Sequence, residues 1–310
     1  MFSTLVKIII ADKKSSFTKD QISLLEQRGE VIFIETAEEW KETEEIFSED
    51  EKVLALDPGV CDWSFPNEII DKVPNLKGIC LPTTRYTWVD GEYLRKKDIV
   101  LTNVPKYSTE SVAEHAIFLM LSITKKLPLI ISNGWKLDWD KHLGYEIKGK
   151  RMGIIGLGDI GSRVAELGKG MGMEVCYWSR KSKDERYTYL ELEELIKSSD
   201  YIFLTIADGP ETEKFLNRER IDMMKKNSYI INTTGNEVWD FEYAVEKVKD
   251  ESIGGIALDE DKVKMKDYGC NVMVTPHIAW YTKESFEEDY RIWVECIISV
   301  VKNKPSNVAN

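Results

Sequence analysis

The stretch Arg151–Arg180, RMGIIGLGDIGSRVAELGKGMGMEVCYWSR, decides the fold of this chain. An apolar run, Met152–Ile155, leads into a glycine-rich segment, Gly156–Gly161. A helical run follows, and a second apolar run, Glu174–Ser179, ends the stretch. The order strand, glycine loop, helix, strand predicts a βαβ unit of the kind that binds dinucleotides.

Each glycine of this segment has its own expected role. Gly156 permits the tight turn, Gly158 lets the main chain approach a pyrophosphate, and Gly161 lets the helix pack closely on the strand. Asp159 and Ile160 begin the helix, whose N-terminal N–H groups and partial positive charge attract phosphate. The alternative is a glycine-rich turn that binds nothing, but the flanking strands favour a dinucleotide site.

The residues after the second strand bear on the choice between NAD and NADP. An NAD site usually has an acid at the end of this strand, about 20 residues beyond the glycines, and here no acid follows the strand before Asp184. Ser179, Arg180 and Lys181 stand there instead, and they could hydrogen-bond and pair with a 2′-phosphate. NADP(H) is therefore the predicted preferred cofactor, with NAD(H) second. A solvated basic turn is the alternative interpretation.

Composition sets outer bounds on function. The chain has 310 residues and a net charge of −12, enough length for two domains and a charge that disfavours nucleic acid and anionic membrane surfaces. The apolar start, residues 1–10, is too short for a signal peptide and resembles a first strand. Five scattered cysteines without CxxC spacing predict no disulfide and no metal site, and a cytoplasmic location.

Short apolar runs alternate with amphipathic helical segments along the whole chain, which predicts parallel sheets. The expected fold is α/β with two doubly wound parallel-sheet domains, a Rossmann-type cofactor domain inserted into a flavodoxin-like substrate domain. The substrate (outer) domain is predicted at 1–105 plus 282–310, and the NAD(P)-binding domain at 106–281. The strands are expected at Val6–Ile10, Val31–Ile34, Val53–Leu56, Leu76–Leu81, Ile99–Val104, Met152–Ile155, Glu174–Ser179, Tyr201–Ile206, Tyr229–Thr233, Ile253–Asp259 and Val272–Thr275.

A nicotinamide enzyme that acts on a hydroxyl or carbonyl group needs a residue that exchanges a proton. The chain has three histidines, of which His115 lies within a predicted helix and His142 in a charged connection. His277 directly follows a predicted strand, in the segment Thr275–Trp280. Ligands of open α/β sheets bind at the carboxyl ends of strands, so His277 is the candidate proton donor.

The chain resembles the D-isomer-specific 2-hydroxyacid dehydrogenases, the group of formate, glycerate, hydroxypyruvate and glyoxylate enzymes. The resemblance covers roughly Leu76 to Lys302, and its last segment, Thr275–Trp280, looks most like the hydroxypyruvate and glycerate members. The matching segments, in order, are Leu101–Pro105, Ser111–His115, Gly153–Gly161, Ile231–Thr234, Ala257–Asp259 and Thr275–Trp280.

The resemblance implies roles for several residues. His277 would protonate the substrate carbonyl oxygen, and Asp259 would face the nicotinamide carboxamide. Thr233 and Thr234 would line the ribose side, and backbone amides near Thr84–Tyr86 would receive the substrate carboxylate. It also implies a homodimer, for which the helix at Glu110–Lys125 and the tryptophan-rich stretch after it are the expected surface.

Two positions depart from the family pattern. Where the family has its catalytic arginine, this chain has Gly235, and where the family has the glutamate that orients the histidine, counting gives Lys264. Glu260 or Asp261 could take over from that glutamate, or both could be solvated loop acids. Arg85, in a loop that follows an apolar strand, is the candidate replacement for the arginine. An exposed loop arginine without that role is the alternative.

Three functions remain open on the sequence. The first is an NADPH-dependent reductase of a small 2-oxoacid such as glyoxylate or hydroxypyruvate. The second is a reductase of a carbonyl substrate that lacks the usual carboxylate contact, with a pocket lined by some of five tryptophans. The third is a nucleotide-binding regulator that has lost turnover. Those tryptophans are Trp88, Trp135, Trp139, Trp239 and Trp280.

Overall fold

The computed structural model describes residues 6–310, and the chain forms two compact units. The outer unit runs to Tyr107 and resumes over Lys283–Asn310, and the cofactor unit is Ser108–Thr282. The sequence-based boundaries differ from these limits by one or two residues, while the substrate role of the outer unit stays a prediction. The first five residues of the predicted apolar start lie outside the described residues, and the first strand begins at Lys7.

The outer unit is built on a parallel sheet of five strands in the order β2-β1-β3-β4-β5. This is the flavodoxin-like order, in which the connection reverses direction between β1 and β3. Five of its helices connect the strands, and all the strand pairs are parallel. The elements are β1 Lys7–Ala11, α1 Lys19–Glu26, β2 Glu30–Ile34, α2 Ala37–Glu42, β3 Lys52–Leu56, α3 Pro58–Cys61, α4 Asn67–Ile70, β4 Leu76–Cys80, α5 Gly91–Lys96 and β5 Val100–Thr102.

The cofactor unit is built on a parallel sheet of seven strands in the order β12-β11-β10-β9-β6-β7-β8. The predicted fold class, two doubly wound parallel sheets, is confirmed. One strand, β8, was not predicted, because two exposed residues in a polar segment carry no apolar signal. The elements are α6 Thr109–Thr124, α7 Leu127–Ser132, β6 Arg151–Ile155, α8 Asp159–Gly170, β7 Glu174–Trp178, β8 Thr188–Tyr189, α9 Leu192–Ser198, β9 Tyr201–Leu204, α10 Arg218–Asp222, β10 Tyr229–Asn232, α11 Phe241–Lys249, β11 Gly255–Asp259 and β12 Val272–Thr275.

The last helix, α12 (Lys283–Val301), belongs to the outer unit. Its apolar face packs on the sheet, and the buried indole N–H of Trp293 donates to the Cys80 carbonyl at 3.0 Å. The tail beyond the helix covers the edge of β5, where the Ala309 N–H donates to the Leu101 carbonyl at 2.8 Å. Pairing of this kind protects an edge strand from other chains.

Buried carboxyl groups meet at the carboxyl edge of the outer sheet. Asp12 and Asp57 directly follow β1 and β3, which are adjacent strands, and Asp289 comes from α12. Tyr290 donates to Asp12 Oδ2 at 2.6 Å, whereas Asp289 Oδ1 is buried with no hydrogen-bond partner among the described residues. Burial, followed by the charges of Asp57 and Asp12, raises the pKa of Asp289 to about 8. Burial, with the charge of Asp12 next, raises the pKa of Asp57 to about 6.

Asp289→Asn is expected to stabilise the protein at alkaline pH. A carboxyl whose folded pKa is raised contributes stability that is fully present below its unfolded pKa of about 4, and that is lost as pH rises through about 8. The neutral amide should raise the free energy of unfolding at pH 9 by about 2 kcal/mol, since one pKa unit corresponds to about 1.4 kcal/mol and rearrangement offsets part of the shift.

Thermal unfolding between pH 5 and pH 9 measures this effect, since that range covers most of the interval between the unfolded pKa of about 4 and the folded pKa of about 8. The control is Glu287→Gln on the same helix, since Glu287 is exposed and pairs only loosely with Lys283 at 3.6 Å. Equal pH profiles for the parent and Asp289→Asn would show that the buried carboxyl does not titrate in this range.

Candidate active site

The glycine segment after β6 has the geometry that its sequence predicts. Gly156 has a φ of +104°, in the region that favours glycine. A Cβ on Gly161 would lie 2.0 Å from the Gly156 carbonyl oxygen, so a side chain there would force α8 away from the strand. A Cβ on Gly158 would meet no atom within 4 Å. The close contact is therefore at Gly161, and the open approach is at Gly158.

This open approach leads to the N-terminus of α8. Gly158 is the N-cap residue, and no side chain caps the helix. Asp159, Ile160 and Gly161 form its first turn, where main-chain N–H groups and the helix dipole favour an anion. The residues present therefore fit a dinucleotide pyrophosphate.

Ser179, Arg180 and Lys181 follow β7 in a surface turn. The Ser179 hydroxyl oxygen accepts from the Ser182 N–H at 3.1 Å, which shapes the turn. Arg180 Nη1 lies 2.6 Å from Glu211 Oε2, with 53% and 80% of the two side chains exposed. An ion pair this exposed contributes about 0–1 kcal/mol, so it can be exchanged for a stronger anionic partner. Lys181 is exposed beside them.

The loop after β10 is organised by a residue that the sequence analysis did not single out. Asn232, fully buried, accepts from the Thr234 N–H at 3.0 Å and from the Thr234 hydroxyl at 2.9 Å. Thr233 and Thr234 are thus presented, half-buried, at the carboxyl edge of the cofactor sheet. The signal was the asparagine at a strand end, a residue whose side chain commonly bonds the main chain two residues on.

Gly235 follows in the same loop, where the resemblance places the family arginine. A Cβ there would lie 2.8 Å from Glu237 Oε2 and 3.2 Å from Asp208 Cβ. Its φ of −58° is open to any residue, so backbone conformation does not require a glycine. Two acids, Glu237 and Asp208, are therefore the nearest side chains to this position, and Glu237 also pairs with Lys262 Nζ at 3.1 Å through its other oxygen.

His277 lies on the loop after β12 with a φ of +52°, which is uncommon for a residue with a side chain. Its side chain is 57% exposed, and Nδ1 lies 3.9 Å from Asp259 Oδ2. Buried Asp259 accepts from the N–H groups of Ile278 and Ala279, both at 2.8 Å. Asp259 thus holds the loop that carries His277, while its predicted contact with the nicotinamide stays a prediction.

The two acids considered as replacements for the family glutamate make other contacts. Glu260 is buried and accepts from the Asn236 N–H and the Lys262 N–H, both at 3.1 Å. Asp261 is exposed, and a hydrogen bond with Glu260, together with nearby His277, holds its pKa below the usual range. Within residues 6–310, Asp259 is the carboxylate at ion-pair distance from His277. Lys264, at the counted position, is exposed.

Arg85 lies in the outer unit, in the exposed loop that follows β4. The loop is held locally: the Thr83 hydroxyl donates to the Arg85 carbonyl at 2.6 Å, and the Thr84 hydroxyl donates to the Val104 carbonyl at 2.9 Å. Arg85 thus lies on a loop at the carboxyl end of a strand, and its role at a substrate site stays a prediction.

The tryptophans considered for an apolar pocket lie in different environments. Trp239 is buried in the core of the cofactor unit, whereas Trp135 and Trp139 are 70% and 85% exposed. Trp88 packs in the outer unit.

In residues 6–310 no cluster of acids, histidines and cysteines has the arrangement of a metal site. No helix in this part of the chain is long and apolar enough to span a membrane.

Comparison with known proteins decides the family. Residues 117–279 match the D-isomer specific 2-hydroxyacid dehydrogenase, NAD binding domain. A glyoxylate reductase of Pyrococcus furiosus is 32% identical over 86% of this chain and 84% of its own length. The chain belongs to this family. The chain is therefore an oxidoreductase with an NAD(P) cofactor, as the resemblance in its sequence implied.

Two solved structures are similar to this chain over nearly its whole length. An acyclic imino acid reductase (Bsp5) in complex with NADPH and D-Arg is 28% identical, with a TM-score of 0.82 over 98% of this chain and 100% of the other. The D-lactate dehydrogenase of Aquifex aeolicus, complexed with NAD and lactic acid, is also 28% identical, with a TM-score of 0.75 over 96% of both chains. Relatives of this fold thus include both NADPH and NAD complexes.

Proposed function

We propose that this protein is an NADPH-dependent reductase of a small 2-oxoacid such as glyoxylate or hydroxypyruvate. The observation that carries the proposal is His277, an exposed imidazole that is held at the carboxyl edge of the cofactor sheet by buried Asp259. The glyoxylate reductase among the relatives supports the substrate class.

The bound nicotinamide supplies the hydride. His277 donates the proton to the substrate carbonyl oxygen, and Asp259 keeps the loop in place while the charge of the imidazole changes. Thr233 and Thr234 line the ribose side of the nicotinamide. The backbone amides near Thr84–Tyr86, with the Arg85 guanidinium, hold the substrate carboxylate. Glu260 supports the site through the main chain of Asn236.

The direct test follows oxidation of NADPH and NADH against a panel of 2-oxoacids, ketones and aldehydes. Turnover of glyoxylate or hydroxypyruvate with NADPH supports the proposal. NADPH binding without turnover of any carbonyl compound would contradict it and favour the nucleotide-binding regulator.

Arg85→Ala is expected to lower kcat/KM for the best 2-oxoacid by about tenfold or more, because a hydrogen bond to a charged group contributes about 1.5–3 kcal/mol. Steady-state kinetics measure the change, with Arg95→Ala, on a helix of the same unit, as the control. Unchanged kcat/KM on every oxoacid that the parent reduces would assign the carboxylate contact to other groups.

The preference for NADPH is proposed to depend on Ser179, Arg180 and Lys181. Arg180→Ala should raise the Kd for NADPH about tenfold and leave the Kd for NADH nearly unchanged, because only NADPH offers the 2′-phosphate that the guanidinium pairs with. Quenching of tryptophan fluorescence measures both. The control is Arg218→Ala, since Arg218 is another exposed arginine paired with an acid in the same unit. Tighter binding of NADH by the parent would refute the assignment.

A second candidate is the reduction of an imine formed from a 2-oxoacid. The acidic surroundings of Gly235, with Glu237 and Asp208 beside the Cβ position, suit a cationic group better than a carboxylate. The imino acid reductase that shares this fold supports it. NADPH oxidation that requires both a 2-oxoacid and ammonium, with an amino acid as product, would establish this function in place of the first.

We also infer a homodimer. Four large apolar side chains of the cofactor unit, Phe118, Trp135, Trp139 and Leu143, are 46–85% exposed, and exposed apolar side chains of this size are typical of interaction surfaces. Phe118 belongs to α6, and the other three residues lie in the stretch after α7, the two segments expected as dimer surface from the sequence. Sedimentation equilibrium of the purified chain tests the association.

A further inference from the structure

The loop that carries His277 is also held by α6, through two side chains to which the sequence analysis gave no role. The Ser111 hydroxyl donates a short hydrogen bond to the Ala279 carbonyl. His115 Nε2 lies 3.0 Å from Thr275 Oγ1. Ser111 and His115 are four residues apart on the helix, and therefore on one face. One face of α6 thus contacts both ends of the loop.

The hydrogen bonds that join His115, Thr275 and Asp259 run in one direction, from the imidazole to the carboxylate. Thr275 and Asp259 are register partners on adjacent strands, and Thr275 Oγ1 lies 2.6 Å from Asp259 Oδ1. A hydroxyl has one proton, and at this distance it is donated to the carboxylate. The Thr275 oxygen therefore accepts from the Nε2–H of His115. Burial lowers the pKa of His115, which favours the neutral ring, and the contact with Thr275 Oγ1 assigns its proton to Nε2.

Asp259 joins this chain of hydrogen bonds to the residues around His277. Its two oxygens accept from Thr275, Ile278 and Ala279, all within a few residues of His277. A positive φ on a residue with a side chain costs about 1–3 kcal/mol and persists only when surrounding contacts impose it. The His277 N–H donates to the Thr275 carbonyl at 3.0 Å, and the contacts from Asp259 and α6 hold the residues on both sides of it.

We propose that His115 and Ser111 are positioning residues for His277, acting through Thr275, Asp259 and the Ala279 carbonyl. The helix α6 thereby sets the position of the proton donor through the two ends of its loop. This inference rests on the proposed function for its catalytic consequence, and on the geometry alone for its effect on the His277 ring.

The experiment compares matched variants on one helix. Ser111→Ala removes the hydrogen bond to the loop, whereas Ser122→Ala, the control, removes an equally buried hydroxyl that donates to the Phe118 carbonyl within α6. His115→Leu removes the donor to Thr275, and His115→Gln restores an N–H close to the position of Nε2. We expect Ser111→Ala and His115→Leu to lower kcat about tenfold with little change in KM, because a small misplacement of a reacting group is costly. Ser122→Ala and His115→Gln should remain near the parent.

The second readout needs neither cofactor nor turnover. The chain has three histidines, so the imidazole signals are readily assigned by NMR. The His277 imidazole signal should move in Ser111→Ala and His115→Leu and stay in place in Ser122→Ala. If the His277 signal and kcat behave in Ser111→Ala as in Ser122→Ala, the inference is wrong. A moved His277 signal in a protein without turnover supports the inference and overturns the proposed function instead. If His115→Leu does not fold, the result for Ser111→Ala is sufficient to test the inference.

Discussion

His277→Asn is expected to lower kcat by about two to four orders of magnitude, the usual contribution of a positioned general acid. Asparagine tolerates a positive φ better than most residues, so the backbone at the observed φ of +52° should be kept. The contacts of Asp259 to the Ile278 and Ala279 N–H groups use the main chain and are kept as well. The Kd for NADPH should therefore change little.

Steady-state kinetics and a fluorescence titration of NADPH measure the two quantities. The control is His142→Asn, since His142 is buried in the cofactor unit, where its Nδ1 accepts from the Asp138 N–H at 3.0 Å. An asparagine oxygen can accept the same hydrogen bond. If His277→Asn retains the activity of the parent, another group transfers the proton.

Gly158→Val is expected to raise the Kd for NADPH by about 100-fold while the protein stays folded. No atom lies within 4 Å of a Cβ at this position, and the backbone, with φ −84° and ψ −162°, accepts a β-branched residue. The side chain would occupy the space through which a pyrophosphate reaches the N-terminus of α8. Loss of hydrogen bonds to a charged group costs about 1.5–3 kcal/mol each, which corresponds to this change in Kd.

The matched control is Gly170→Val, at the opposite end of α8, where a Cβ also meets no atom within 4 Å. Both variants should unfold near the temperature of the parent, and only Gly158→Val should lose affinity. Equal affinity of the two variants for NADPH would show that the dinucleotide does not approach at Gly158.

Much of the fold could be predicted because its signals are local. Buried parallel strands produce apolar runs, and the glycine segment has a spacing that few other structures need. The exceptions are local as well: the two-residue β8 carries no apolar run, and the ends of several predicted strands extend past the observed ones. The 12-residue loop between β11 and β12 has no periodicity to interpret.

The site was predicted less completely. His277 was identified because it follows a strand, and Asp259 through the family resemblance. Glu260 was considered as the acid that orients His277, but its hydrogen bonds go to the Asn236 and Lys262 main chain. That outcome depends on the direction of a side chain in a loop, which neither spacing nor composition reports.

By itself, the sequence determined two parallel α/β units, a glycine loop before a helix, and an imidazole at a strand end, because strand periodicity and glycine geometry are properties of neighbouring residues. Only the tertiary structure decided which groups hold that imidazole. Ser111 and His115 are more than 150 residues from the loop that they contact. Contacts over such a separation arise when the sheet brings β11 and β12 together beneath α6.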